Sequence, residues 1–171
     1  MVLLLFSISI TVLPLTDYTE LPGLLNLAIA YFNDGKYEEA KKHLNDILSK
    51  SESTQAHELL GRICTKEEKP KEAVEHFVHV LNDRPDSVDA MLNLAVANYQ
   101  NGEINSAKIL LMKAITKAPE SYEAYFNLGI IMMRSEELKE AKNYFEKALK
   151  HDPPQLKRQI IDRLISQLGD E

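Results

Sequence analysis

The sequence predicts an all-α protein, an α–α superhelix of four helix-turn-helix repeats followed by a C-terminal capping helix. Three observations predict it. First, six residue series return every 34 positions: Pro85, Pro119 and Pro153; Ser53, Ser87 and Ser121; Ala56, Ala90 and Ala124; Leu60, Leu94 and Leu128; Gly61, Ala95 and Gly129; Ala73, Ala107 and Ala141. Six series in one register mark repeats at 54–87, 88–121 and 122–155. Second, apolar residues inside each repeat recur at i, i+3, i+4 and i+7, the spacing that places them on one face of a helix. Third, residues 155–168 carry Leu156, Ile160, Ile161, Leu164, Ile165 and Leu168 on one stripe and Lys157, Arg158, Asp162 and Arg163 on the other. Such a helix suits the open end of a stack, because no helix pair can bury its own apolar face without a neighbour.

The chain starts with an uncharged run, Val2 to Leu15, with Pro14 near its end. It is too short for a standard spanning helix and matches the apolar region of a secretory signal in length. No Lys or Arg precedes it and no A-x-A-like cleavage site follows. Three readings stay open: a signal or membrane anchor, an element separated from a longer chain, or a segment lying over the exposed end of the folded body. The expected compartment is cytoplasmic, with the secretory pathway or membrane anchoring as the alternative. Membrane contact through residues 2–15 therefore stays open.

After this apolar segment at 1–20 comes a looser repeat copy at 21–53, one residue shorter than the others, with Leu27, Ala28, Tyr31 and Ala40 in the matching positions. Glu52 stands where the others have proline. Divergence is expected in a terminal repeat, which has one neighbour to satisfy. Each repeat reads as helix A then helix B, with A over about Tyr122–Arg134 and B over about Leu138–Lys150 in the last copy. The serines stand just before A helices, where a hydroxyl caps free backbone N–H groups. Gly35 and Gly102 follow A helices and suit a left-handed turn. The prolines end the B helices. Gly129 on A faces Ala141 on B, and Gly61 with Ala73, Ala95 with Ala107 and Ala28 with Ala40 repeat that pairing for close backbone approach. Residues 156–171 form the capping helix and tail.

Composition removes several function classes. The net charge of −6, with no basic block, opposes phosphate neutralisation and so nucleic-acid binding. One cysteine among 171 residues excludes an intramolecular disulfide framework and a cysteine-rich zinc module. Cys64 sits at a core position and reads as a small buried apolar residue. His76 and His79 lie at i, i+3 on a B helix, but with no nearby cysteine the reading is of solvated surface histidines, with His43, His57 and His151 elsewhere; no metal is expected. No phosphate-binding glycine loop, nucleophile elbow or paired-carboxylate motif is present, so no catalytic residue and no cofactor is expected.

The repeat resembles the tetratricopeptide repeat (TPR). Copy 122–155 supplies Tyr125, Leu128, Gly129, Ala141, Phe145, Ala148 and Pro153; copy 88–121 supplies Met91, Leu94, Ala95, Ala107, Leu111, Ala114 and Pro119. Copy 54–87 supplies His57, Leu60, Gly61, Ala73, Phe77 and Pro85, departing at Cys64 and Val80. The resemblance implies a solenoid whose A helices line an inner groove, with ligand contacts at positions 2, 5, 6, 9, 12 and 13 of each repeat. Here position 6 holds Asn26, Leu59, Asn93 and Asn127, and position 5 holds Leu25, Glu58, Leu92 and Phe126. Position 9 holds Ile29, Arg62, Val96 and Ile130. An asparagine can pair with both N–H and C=O of a peptide backbone. The alternative for each asparagine is that it is merely common at this position, and Ile29, Val96 and Ile130 read as packing between A helices.

The candidate peptide-binding residues are therefore Leu25, Asn26, Glu58, Arg62, Leu92, Asn93, Phe126 and Asn127. They suggest a partner protein or peptide segment that is apolar or amphipathic. The carboxylate clamp that TPR proteins use for Hsp70 and Hsp90 tails is not expected, because neither possible register offers the clamp cations and Glu58, Asp89 and Glu123 would repel a carboxylate. The expected function is a non-catalytic interaction scaffold. The alternatives are a TPR arm or subunit of a larger enzyme complex, and a self-associating structural subunit.

Overall fold

The computed structural model describes residues 16–169 of the chain. Among them it contains α1 (Thr16–Asn33), α2 (Tyr37–Lys50), α3 (Thr54–Lys66), α4 (Pro70–Asp83), α5 (Val88–Gln100), α6 (Ile104–Lys117), α7 (Tyr122–Arg134), α8 (Leu138–Lys150) and α9 (Gln155–Leu168). No strand occurs among the described residues, and the predicted all-α class holds. The apolar run at 2–15 lies outside the described residues. Among the described residues no helix is long and apolar enough to cross a membrane.

The chain divides into two compact units, one ending at Ser53 and one running from Thr54 onward. In the first, α1 packs antiparallel on α2 around Ala28, Ala40, Leu44 and Ile47. α1 begins at Thr16, ahead of Leu21 where the first repeat copy starts, and runs through Pro22. A proline there removes one backbone donor from the helix. Helical periodicity places a face and not a starting residue, which is why the early start was not legible.

In the second unit α3 pairs with α4, α5 with α6 and α7 with α8, and α4 meets α5 as α6 meets α7. Each pair thus covers the next, as the one-sided apolar stripes require. α7 and α8 span what the spacing predicted. Ser87 and Ser121 cap α5 and α7, their hydroxyls accepting from the Ala90 and Ala124 N–H groups at 3.2 and 3.3 Å. α4 and α6 end at Asp83 and Lys117, each two residues before a proline, as steric exclusion of the residue before proline predicts.

The glycines of this pairing also face a large side chain of helix B. A methyl built on Gly61 would lie 2.7 Å from the Phe77 ring, and one on Gly129 would lie 2.5 Å from the Phe145 ring. The glycines therefore make room for a phenylalanine of helix B, and the atoms nearest to them are not those of Ala73 or Ala141. In the middle repeat the same two positions hold Ala95 and Leu111, both buried.

α9 packs on α8. Its Ile161 is fully buried, with Leu164, Ile165 and Leu168 against the Ala141–Phe145–Ala148 core. Leu156 and Ile160, expected in the same stripe, are 72% and 39% exposed. Ile161 and these three half-buried residues keep the i, i+3, i+4, i+7 spacing, and the other two fall outside the strip that one neighbouring helix pair can cover.

Candidate docking groove

The A helices of the second unit present one face through α3, α5 and α7. A depression of about 380 Å³ there is lined by Glu58 and Arg62 of α3, Leu92 and Asn93 of α5, and Asn127 of α7. Asp89, Val96 and Glu123 complete its wall. All eight residues stand at repeat positions 2, 5, 6 or 9. The spacing brings them together because these positions advance along one side of each helix.

A smaller cavity of about 240 Å³ has Val96 and Tyr99 on α5 and Phe126, Asn127 and Ile130 on α7 as walls. Val96 and Asn127 line both spaces. The structure thus joins five of the expected residues around one depression and adds Phe126 through the neighbouring cavity. Leu25 and Asn26 lie on α1 of the first unit, half-buried and exposed respectively. Val96 and Ile130, read as packing between A helices, line the cavity between α5 and α7. Leu59, the residue that breaks the asparagine series, is buried, so α3 turns a core residue inward where α5 and α7 carry an amide.

Phe126 does two jobs. Its ring meets the buried Phe145 ring at 5.9 Å between centroids, and the ammonium of Lys157 from α9 sits 4.4 Å from the Phe126 centroid. That cation–π contact ties the capping helix to the rim of the cavity. It was not foreseeable from the repeat, because Lys157 lies beyond it.

The depression is acidic at its edges. Glu58 pairs with Arg84 at 3.7 Å, an exposed contact worth little by itself. Asp89 and Glu123 are exposed. Ser121 donates its hydroxyl to Glu123 at 3.3 Å, and burial together with the Glu123 carboxylate raises the Tyr122 phenol above its ordinary pKa.

Of the histidines expected to be solvated surface groups, His79 is exposed and the other four are half-buried. His43 stacks on Tyr31 at 5.6 Å and His151 on Tyr125 at 5.2 Å. His57, His76 and His79 cluster across α3 and α4. Burial, and then the neighbouring His57 and His79, lower the His76 pKa below the usual imidazole value. Cys64 is buried, with its thiol 3.9 Å from a Glu72 oxygen.

Three sequence models, each described as a tetratricopeptide repeat, match residues 23–53, 65–129 and 122–154. This chain is a tetratricopeptide repeat protein. The TPR solved structures it is similar to include MamA of Desulfovibrio magneticus RS-1, at 22% identity and a TM-score of 0.73, covering 77% of this chain and 75% of that one. YrrB, described as a TPR protein with an unusual peptide-binding site, is 19% identical with a TM-score of 0.72, over 82% of this chain and 73% of that one. PilF of Pseudomonas aeruginosa is 23% identical with a TM-score of 0.70, over 91% of this chain and 79% of that one. These likenesses carry the TPR fold. A comparison with curated protein sequences finds no match. TPR proteins in general are interaction modules without catalytic activity.

Proposed function

We propose that the face made by α3, α5 and α7 holds a segment of a partner protein, apolar at its centre and basic at its flank. The observation that supports this most is the joining of the two spaces at Val96 and Asn127. One apolar side chain of the partner enters the 240 Å³ cavity against Val96, Phe126 and Ile130. The amides of Asn93 and Asn127 pair with its main chain, each offering one acceptor and two donors. Glu58, Asp89 and Glu123 attract a Lys or Arg beside the anchor and repel a carboxylate, so chaperone tails that end in acidic residues are poor ligands. Leu25 and Asn26 occupy the corresponding repeat positions on α1 of the first unit. A peptide-binding site in the similar YrrB accords with this use of the fold.

The test is capture of binding segments from a displayed peptide library by the full chain. Selected segments should combine an apolar anchor with Lys or Arg, and Asn93→Ala/Phe126→Ala/Asn127→Ala should lose them while its circular dichroism stays that of the wild type. An unchanged set of captured segments rejects the groove.

A further inference from the structure

The repeat at 54–87 departs from its neighbours at three positions that converge in space. His57 stands where the next two repeats have Met91 and Tyr125, and His76 where they have Leu110 and Tyr144. His79 stands where they have Lys113 and Lys147. Helix packing at the first two positions is thus served elsewhere by ordinary apolar or aromatic contacts. Here the Nδ1 atoms of His57 and His76 lie 3.0 Å apart. The His57 and His79 rings lie parallel at 4.3 Å, and a nitrogen of one is within 4.8 Å of a nitrogen of the other.

We propose that His57, His76 and His79 form a binding site for a divalent first-row transition ion, with zinc as the type case. Two nitrogens bound tetrahedrally at ~2.0–2.1 Å from zinc are separated by about 3.3 Å, close to the Nδ1–Nδ1 distance at hand. Without metal, two neutral imidazoles at this distance share one proton. Metal binding needs both Nδ1 lone pairs, so the shared proton moves to an Nε2 position and both rings stay neutral. His79, one helical turn from His76 and exposed, supplies the third nitrogen by rotation of its side chain. Water fills the fourth position. Imidazole donors favour zinc, copper and nickel over magnesium or calcium. The ion would clamp α3 to α4 within one repeat. Its affinity adds to folding stability, because the unfolded chain does not bring the three rings together.

The test is zinc titration of the chelator-stripped full chain by calorimetry, with thermal melting in parallel. The expected result is saturable binding of one ion and a higher melting temperature. His57→Met and His76→Leu, which install what the next repeat carries, should keep the helical circular dichroism and weaken zinc binding about tenfold or more. His43→Ala and His151→Ala should bind as the wild type does. No saturable uptake overturns the site, and so does unchanged binding in folded His57→Met/His76→Leu. Neither outcome touches the docking groove, whose residues do not overlap with these.

Discussion

The first and third repeats of the larger unit solve helix packing differently from the repeat between them. In 54–87 and 122–155 a glycine on helix A leaves room for a phenylalanine on helix B: Gly61 with Phe77, Gly129 with Phe145. In 88–121 the pair is Ala95 with Leu111, both buried. The same partition recurs at the turn between A and B. The middle repeat places Gly102 in the left-handed region at φ 84°, whereas the other two force Glu68 and Glu136 into it at φ 57° and 63°. The fold therefore fixes a combined volume at one site and a backbone conformation at another, and leaves open which residues provide them.

Four substitution sets test this contrast, each read by chemical denaturation of the full chain. The largest effect is expected from Phe145→Ala, which empties a site with no solvent exposure and should cost about 3–5 kcal/mol. Next, Gly129→Ala places a methyl against the Phe145 ring and should cost about 1–3 kcal/mol from overpacking, less what alanine returns in helix propensity. Gly129→Ala/Phe145→Leu copies the middle repeat, and its loss should be smaller than the summed losses of the single variants by at least about 0.5 kcal/mol. Strict additivity would show that the two positions do not share one volume. Third, Glu136→Gly should raise stability by about 1 kcal/mol and Gly102→Ala lower it by about as much, since a side chain in the left-handed region is strained. Equal and negligible changes at both would show that the turn conformation carries no strain. The smallest effect, about 1 kcal/mol, is expected for Ser87→Ala or Ser121→Ala through loss of one helix cap.

Much of the fold was legible because the repeat states it several times. Ser87, Pro85 and Gly102 each report a local rule, and agreement in phase across copies separates such rules from chance. What could not be read depends on partners outside the 34-residue unit. The Lys157–Phe126 contact joins a repeat residue to the capping helix, and the exposure of Leu156 reflects how little surface the last pair offers. The histidine cluster, which lies within one repeat, was missed for a different reason. His76 and His79 were visible as an i, i+3 pair, but His57 lies 19 residues earlier and comes to them through the A–B packing. The groove positions were legible as helix faces. That Val96 and Asn127 join two cavities was not, because the depth between helices is set by side chains of the B layer such as Leu111.

A second apolar patch separates the docking account from a competitor. Ile109 and Met112 on α6 are 55% and 58% exposed, on the B-helix side of the middle repeat. The most direct measurement is mapping of amide chemical shifts when the full chain is titrated with a library-selected apolar, basic segment. Binding in the groove predicts saturable changes centred on Leu92, Asn93, Val96, Phe126 and Asn127, with Ile109 and Met112 unmoved. Changes centred on Ile109 and Met112, with the A-helix face silent, would contradict it.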